Sequence, residues 1–181
     1  MRVACQQEHL HRALSAVSRA VPSRSVLPIT QHILVEAEDG SLKLSATDAE
    51  TIAMTYTIPA EIAQPGSITL PSRLLSDFVA TLPRDTIEMT LAERSRQVSL
   101  SCARNAASIG GMDPDEFPPI PSVDGAATVE VDADKLREAL DHVVFAAATD
   151  DSRPVLTGVH FAIGPERSEE HTSELQSRLH L

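Results

Sequence analysis

One pattern of strand, helix and loop occurs twice in this sequence, and it constrains the fold more than any other feature. The first copy reads EHLHRALSAVSRAV and then RSVLPI, and the second reads DKLREALDHVVFAA and then RPVLTGV. Apolar helix positions recur at a constant offset, pairing Leu10, Ala13, Leu14 and Val17 with Leu136, Ala139, Leu140 and Val143. Self-similarity at a fixed period marks a structural unit used more than once, and this period exceeds those of solenoid repeats. The sequence therefore predicts a duplicated domain.

The composition is that of a globular protein with an aliphatic core. Of the 181 residues, 42% are hydrophobic and 23% are charged, which suits one or two domains. Aromatic residues make up only 3% and Trp is absent, so Leu, Val, Ile and Ala must fill the core. No apolar run approaches the ~18 residues of a membrane span, and no signal peptide is recognisable. Cys5 and Cys102 lack metal-site spacing, and we expect two buried, reduced thiols in a cytoplasmic protein.

The formal net charge of −11 argues against a tight nucleic-acid binder, because such proteins usually present a basic surface. Net charge nevertheless says little about local fields. A few Arg and Lys side chains on one face could meet phosphates while the rest of the surface stays acidic.

Hydrophobic periodicity and turn residues predict an α+β fold with antiparallel-rich sheets and two helices per unit. In the first unit we expect strands at 2–5, 33–37, 42–46, 51–58, 66–71, 86–91, 97–102 and 106–109. Helices are expected at 8–20 and from Ser72, the predicted N-cap after Pro71, to before Pro83. Residues 110–125, rich in Pro, Gly and Asp, are predicted to form an exposed linker. The second unit is predicted as strand 128–132, helix 134–147 capped by Asp132 or Ala133, and strand 156–163.

The composition changes abruptly at Arg167. The stretch RSEEHTSELQS resembles one reading frame of a sequencing adapter, and nothing joins it to the preceding pattern. We therefore interpret 167–181 as a non-native tail and exclude it from the fold.

The sequence offers no catalytic constellation. It contains no Gly-rich phosphate loop, nucleophile elbow, or Cys and His pair at metal-ligand spacing, so we expect no cofactor and no metal. The segment TDAE at 47–50 brings two carboxylates together, and an Asx turn stabilised by Asp48 explains it better than catalysis. We expect a protein that is not an enzyme.

Five motifs taken together resemble a known family. SRSVLPI, LSATDAE, TLPSRLLSDFVATLP, DPDEFPPIP and DDSRPVLTGV, in this order, are similar to the bacterial sliding clamp, the beta subunit of DNA polymerase III. The resemblance implies a DNA-clamp fold of three like-folded domains per chain, with two chains closing a homodimeric ring around duplex DNA. Residues 1–122 would be the first domain and 123–166 the truncated start of the second. The implied function is a non-catalytic processivity factor that tethers the DNA-directed DNA polymerase; DNA polymerase III and the clamp loader are the implied partners.

The same resemblance implies a set of DNA-binding residues. Arg24 in SRSVLPI and Arg73 in PSRLL match the family's DNA-contacting arginines, and the loop DDSRPVL matches its other contact with Asp150, Arg153, Pro154 and Val155. Here Asp150 stands where relatives can have an amide, and Pro154 and Val155 stand where an aromatic pair can occur. Arg153 has an alternative role as a structural arginine. Helix cations could add contacts, or be merely solvated, at Arg12, Arg19, Lys135 and Arg137.

Two other classes of function remain open from the residues alone. One is a protein-interaction module without nucleic-acid binding, which the net charge favours. The other is an unrecognised hydrolase or transferase, which would need a pocket with convergent polar groups. The charge on the helix face discriminates between the clamp and the interaction module.

Overall fold

The computed structural model describes residues 1–23, 25–120, 130–150 and 153–161. Its contacts divide the chain into two units, Met1–Ser122 and Val123–Leu181. The strands of the first unit are β1 Arg2–Gln6, β2 His32–Glu38, β3 Ser41–Thr47, β4 Ala53–Pro59, β5 Glu61–Gln64, β6 Gly66–Pro71, β7 Thr86–Ala92, β8 Gln97–Cys102 and β9 Asn105–Gly110. Its helices are α1 Gln7–Val17 and α2 Ser72–Thr81, with 3₁₀ turns at Ser18–Ala20, Pro28–Gln31 and Pro114–Glu116.

The strands form two antiparallel sheets. One has the order β5-β1-β7-β8-β9 and the other β4-β3-β2-β6. The β2–β3 hairpin turns at Asp39 and Gly40, whose φ values are 50° and 73°. Positive φ at both central residues is what a type I′ two-residue hairpin requires, so the predicted strands 33–37 and 42–46 are joined by a tight turn.

One continuous core joins both sheets and both helices. Alternate strand residues point inward, and each helix contributes one apolar stripe, with Leu10 and Leu14 on α1 and Leu75 and Val79 on α2 fully buried. Each such side chain contributes about 1.5–3 kcal/mol by leaving water. The core is almost entirely aliphatic, as the composition predicted.

Both cysteines are buried and free, which confirms the expectation of reduced thiols. Burial raises the pKa of the Cys5 thiol to about 12, because the thiolate would lose its hydration. Cys5 is therefore a packing residue with little nucleophilic character.

Three local predictions in the first unit were wrong. Ser72 lies inside α2 and Pro71 is the N-cap residue; the Ser72 hydroxyl instead bonds to Ser18. The strand predicted at 51–58 begins only at Ala53, because the carbonyl of Ile52 accepts hydrogen bonds within the preceding turn, and the Ile52 side chain is 40% exposed. Strand β5 was missed, since it is only four residues long and lies just before Pro65.

The linker predicted at 110–125 begins later than expected. Residues 111–117, which we call the strap, pack on the first unit. Met112 and Thr69 exchange backbone hydrogen bonds of 3.1 and 3.3 Å, so the strap connects the end of β9 to β6 of the other sheet. Arg96 forms an ion pair of 2.6 Å with Asp113, and Phe117 is only 8% exposed. A segment of loop-like composition is thus held by partners that are distant in sequence.

The second unit contains helix α3, Ala133–Asp141, and 3₁₀ turns at Val144–Ala146 and Pro154–Leu156. Asp132 caps α3 by accepting the N–H groups of Asp134 and Lys135, each at 3.0 Å, as one of the two predicted caps. The predicted helix 134–147 ends early, where β-branched Val143 and Val144 follow.

Neither strand predicted for the second unit is formed by its described residues. The described part of 128–132, residues 130–132, is not a strand, and its first two residues lie outside the described chain. In the predicted strand 156–163, Leu156 belongs to a 3₁₀ turn and 157–161 form no strand, while 162 and 163 are not described. A strand is stable only when it pairs with another strand, and the described residues of this unit contain no strand that could act as a partner.

No helix within the described ranges is long and apolar enough to cross a bilayer.

Candidate nucleic-acid interface

Helices α1 and α2 of the first unit pack against each other and expose their polar faces. Arg12 on α1 and Arg19 in the following 3₁₀ turn are exposed, on the side away from the buried Leu10, Leu14 and Val17. Arg73 lies in the first turn of α2. The predicted placement of these cations at the surface of the helix layer is therefore confirmed for the first unit.

Arg73 is available to a ligand. Its side chain is 93% exposed, and its Nε lies 3.7 Å from Oδ2 of Asp77, one turn further along α2. A solvated pair at this distance contributes at most a few tenths of a kcal/mol, so a phosphate can compete with Asp77 for the guanidinium.

A cleft of about 620 Å³ lies between the C-terminal end of α1 and the first turn of α2. Its polar lining includes Ser18, Ser23, Gln31, His32, Ser72, Arg73 and Ser76, and its apolar lining includes Val21, Pro22 and Leu74. None of the described residues that line the cleft is a carboxylate.

Three hydroxyl groups meet in the wall of this cleft. The Ser18 Oγ lies 3.2 Å from the Ser72 Oγ and 3.3 Å from the Ser76 Oγ. Ser72 and Ser76 are four residues apart on α2 and so lie on the same side of that helix, facing the end of α1. We call these three residues the serine cluster.

His32 contributes no positive charge to the cleft at neutral pH. Burial lowers the pKa of its imidazole, and a hydrogen bond with Thr69 only partly offsets this. The ring Nδ1 lies 3.3 Å from the Thr69 Oγ1. Among the described lining residues, Arg73 is the charged group.

Charge is distributed unevenly over the first unit. Alongside the exposed Arg12, Arg19 and Arg73, the helix layer carries only Glu8 and Asp77, and Glu8 pairs with Arg84 at 3.0 Å. The strands carry more carboxylates than cations, with Glu36, Glu38, Glu61 and Glu88 against Arg2 and Lys43. The helix layer is therefore locally more positive than a net charge of −11 suggests.

The residues predicted to bind DNA fall in different parts of the chain. Arg24 lies outside the described residues. Arg73 belongs to the first unit. Asp150, Arg153, Pro154 and Val155 belong to one loop of the second unit, which is closed by a hydrogen bond of 2.9 Å from the Ala148 N–H to the Leu156 carbonyl. Asp150 and Arg153 are exposed, Val155 is 87% exposed, and Pro154 begins the 3₁₀ turn.

Sequence reasoning missed the cleft and the serine cluster. The spacing of Ser72 and Ser76 is a weak signal that both lie on one side of α2. Nothing in the sequence indicates that Ser18, fifty-four residues before Ser72, contacts that side.

The structure supports the simple interpretation of TDAE. The Asp48 Oδ1 accepts the N–H groups of Glu50, Thr51 and Ile52 at 3.0, 2.8 and 2.9 Å, as in an Asx turn. No group of His, Cys, Asp and Glu side chains within the described ranges is arranged to hold a metal ion.

Comparison with known proteins gives a consistent assignment. The family model of the DNA polymerase III beta subunit, N-terminal domain, matches residues 1–121. A beta sliding clamp of Synechococcus elongatus is 35% identical over 167 residues, covering 92% of this chain and 44% of that protein. One from Bacillus subtilis is 30% identical over 177 residues, covering 93% and 46%. The chain thus spans less than half the length of these relatives.

Solved structures confirm the fold. The DNA polymerase sliding clamp from Bacillus subtilis matches with a TM-score of 0.82 at 29% identity, covering 87% of this chain and 43% of that chain. The beta subunit from Streptococcus pyogenes matches with a TM-score of 0.80 at 25% identity, with the same coverage. The predicted α+β clamp architecture and the predicted resemblance are both confirmed. The chain belongs to the bacterial sliding-clamp family, the beta subunits of DNA polymerase III.

Proposed function

We propose that this chain is the N-terminal part of a replicative sliding clamp, a processivity factor that encircles duplex DNA and tethers the polymerase. In this proposal residues 1–122 are the first clamp domain, 123–166 begin the second, and 167–181 are a non-native tail. The complete protein would be a cytoplasmic homodimeric ring without catalytic activity, and DNA polymerase III and the clamp loader would be its partners. Family membership supports the clamp and its partners, and the change of composition at Arg167 supports the assignment of the tail.

The observation that carries the proposal is the exposed arginine face of the helix layer. A ring holds DNA by topology, so it needs only weak contacts with phosphates and no readout of bases. Arg12, Arg19 and Arg73 supply such contacts, since they are long, exposed cations on an otherwise acidic protein.

The proposed DNA-facing residues are Arg24, Arg73, Asp150, Arg153, Pro154 and Val155. Arg24, Arg73 and Arg153 bring a cation that can meet a phosphate. Asp150, Pro154 and Val155 bring none, so in this chain these three residues would contribute mainly shape.

Salt dependence of duplex binding tests the proposal. Arg24→Ala and Arg73→Ala, made separately in the full chain, should weaken binding at low ionic strength equally on all sequences. Each should reduce the slope of log affinity against log salt concentration by about 0.9, because one phosphate contact is lost. Fluorescence anisotropy with labelled duplexes of different sequence measures both effects.

Lys43→Ala is the matched control. It removes one positive charge from a strand, where Lys43 pairs with Glu36 at 3.1 Å. If Lys43→Ala changes the slope as much as Arg73→Ala does, binding follows total charge and the arginine face has no special role. If the unaltered chain does not bind DNA at any salt concentration, the result supports the alternative of a protein-interaction module.

A further inference from the structure

One hydroxyl proton of the serine cluster takes part in no hydrogen bond within the cluster. Ser18, Ser72 and Ser76 carry three O–H groups, and the two hydrogen bonds among them use two of the three protons. Within the described residues these hydroxyls make no further hydrogen bond to a protein group. The cluster is therefore able to donate one hydrogen bond to a ligand.

The cleft around the cluster is built for an acceptor that is negatively charged. Arg73 forms part of its wall, and no Asp or Glu is among the described lining residues, although carboxylates outnumber cations in the chain. Its apolar side includes Leu74, which is 61% exposed. The apolar side chains cannot accept a hydrogen bond, so they do not compete with a ligand for the hydroxyl. Donors of two kinds, a neutral hydroxyl and a guanidinium that only the solvated Asp77 approaches at 3.7 Å, thus line the same cleft.

We propose that this cleft receives one backbone phosphate of duplex DNA, with the serine cluster donating a hydrogen bond beside Arg73. The inference rests on the proposed function and extends it from a charged face to a defined phosphate subsite. The cleft volume of about 620 Å³ is much larger than one phosphate group, so water fills the remainder and the contact stays loose. A loose contact suits a protein that must slide.

Neutral and charged donors leave different signatures in salt titrations. A lysine or arginine contact adds to counterion release and so to the salt slope, whereas a hydroxyl contact releases no counterion. Loss of the hydroxyl should therefore weaken binding by the same factor at every salt concentration. Loss of Arg73 should weaken binding most at low salt.

Ser76→Ala in the full chain is the test. Ser76 is half-buried and lines the cleft, and when Ser72 donates to Ser18 and Ser18 donates to Ser76, the Ser76 hydroxyl is the one that faces the ligand. Its removal deletes that donor and keeps Arg73 and the Ser18–Ser72 hydrogen bond. We expect the dissociation constant for a duplex to rise about 2- to 10-fold, the effect of one hydrogen bond, with an unchanged salt slope. Ser15→Ala is the control, because Ser15 is exposed on α1 outside the cleft and donates to the His11 carbonyl at 2.8 Å.

Inorganic phosphate is the second probe. Duplex DNA should change the amide chemical shifts of Ser18 and Ser76. Inorganic phosphate at the same total phosphate concentration should leave them unchanged. Equal response to both would make the cleft a site for free phosphate and overturn the assignment to DNA.

The remaining outcomes are also decisive. Unchanged duplex affinity in Ser76→Ala overturns the subsite and leaves the proposed function intact. A lower melting temperature without lower affinity means that the cluster only holds α1 to α2, which overturns the subsite as well. A reduced salt slope contradicts a neutral donor. Absence of duplex binding by the unaltered chain defeats both the subsite and the proposed function.

Discussion

Asp48 shows how a single carboxylate organises a turn. Its Oδ1 accepts three backbone N–H groups, and the Thr51 hydroxyl donates to its Oδ2. These donors stabilise the charged form and hold the pKa of Asp48 well below its usual range, with the Ile52 N–H as the largest contribution. The following residue, Ala49, has a φ of 69°, a conformation that the turn must enforce.

Asp48→Ala should therefore lower the melting temperature in a pH-dependent way. A carboxyl whose folded pKa is depressed stabilises the fold above its unfolded pKa of about 3.9, and this stability is lost as pH falls through the folded value. The deficit of the variant should be largest near neutral pH and shrink in acid. Thermal unfolding followed by circular dichroism at several pH values measures it.

Glu50→Gln is the control for Asp48→Ala, since it removes a carboxylate from the same turn. The Glu50 side chain is exposed and accepts no hydrogen bond within the described residues. A deficit of equal size in Glu50→Gln would mean that general charge, and not the turn, explains the effect.

At the scale of elements, the strap is held by a close approach of two backbones. A Cβ built on Gly111 would collide with the Thr69 carbonyl oxygen and lie 2.7 Å from the Ile68 Cγ1. Gly110, one residue earlier, has open space at the same position. Glycine is thus required at 111 by the neighbouring strand β6, and at 110 it is not.

Gly111→Ala should lower the free energy of unfolding by about 1–3 kcal/mol, because the strap or β6 must shift to admit a methyl group. Gly110→Ala should be close to neutral or slightly stabilising, since it restricts the unfolded chain without a clash. Chemical denaturation of the two variants compares them directly. Similar losses in both would contradict the close packing of the strap.

The sequence predicted elements best where the signal is local. Alternation of apolar residues located the strands around Leu44 and Leu100, and helical periodicity located α1 and α2. The strap was misread because its composition is that of a loop, while its partners Thr69 and Arg96 lie elsewhere in the sequence. The second-unit strand at 156–163 was wrong because strand formation depends on a pairing partner that a local pattern does not reveal.

The candidate site follows the same rule. The exposed Arg73 could be predicted from the resemblance to the family and from its place near the start of a helix. The serine cluster could not, because it depends on how the end of α1 meets the first turns of α2 in space. A single charged residue can therefore be located from the sequence, whereas a hydrogen-bonded cluster of residues that are distant in sequence requires the structure.

For the molecule as a whole, the prediction that 167–181 is foreign to the fold remains to be tested, because these residues lie outside the described chain. Deleting them should leave the melting temperature unchanged. About 1 kcal/mol shifts the melting temperature of a domain of this size by ~2–4 °C, so a native contribution would be visible. Scanning calorimetry of the full chain and of residues 1–166 decides, and a drop of several degrees would identify the tail as native structure.

The hydrogen-bonded pair of Thr69 and Met112 gives the strap its own spectroscopic reporter. Met1 and Met89 are buried in the core and Met54 is half-buried on β4, whereas Met112 is half-buried on the strap. With ¹³C-labelled methionine methyl groups, the Met112 signal would follow the docking of the strap and the Met89 signal the integrity of the core. Undocking of the strap from β6 could then be observed while the first unit itself stays folded.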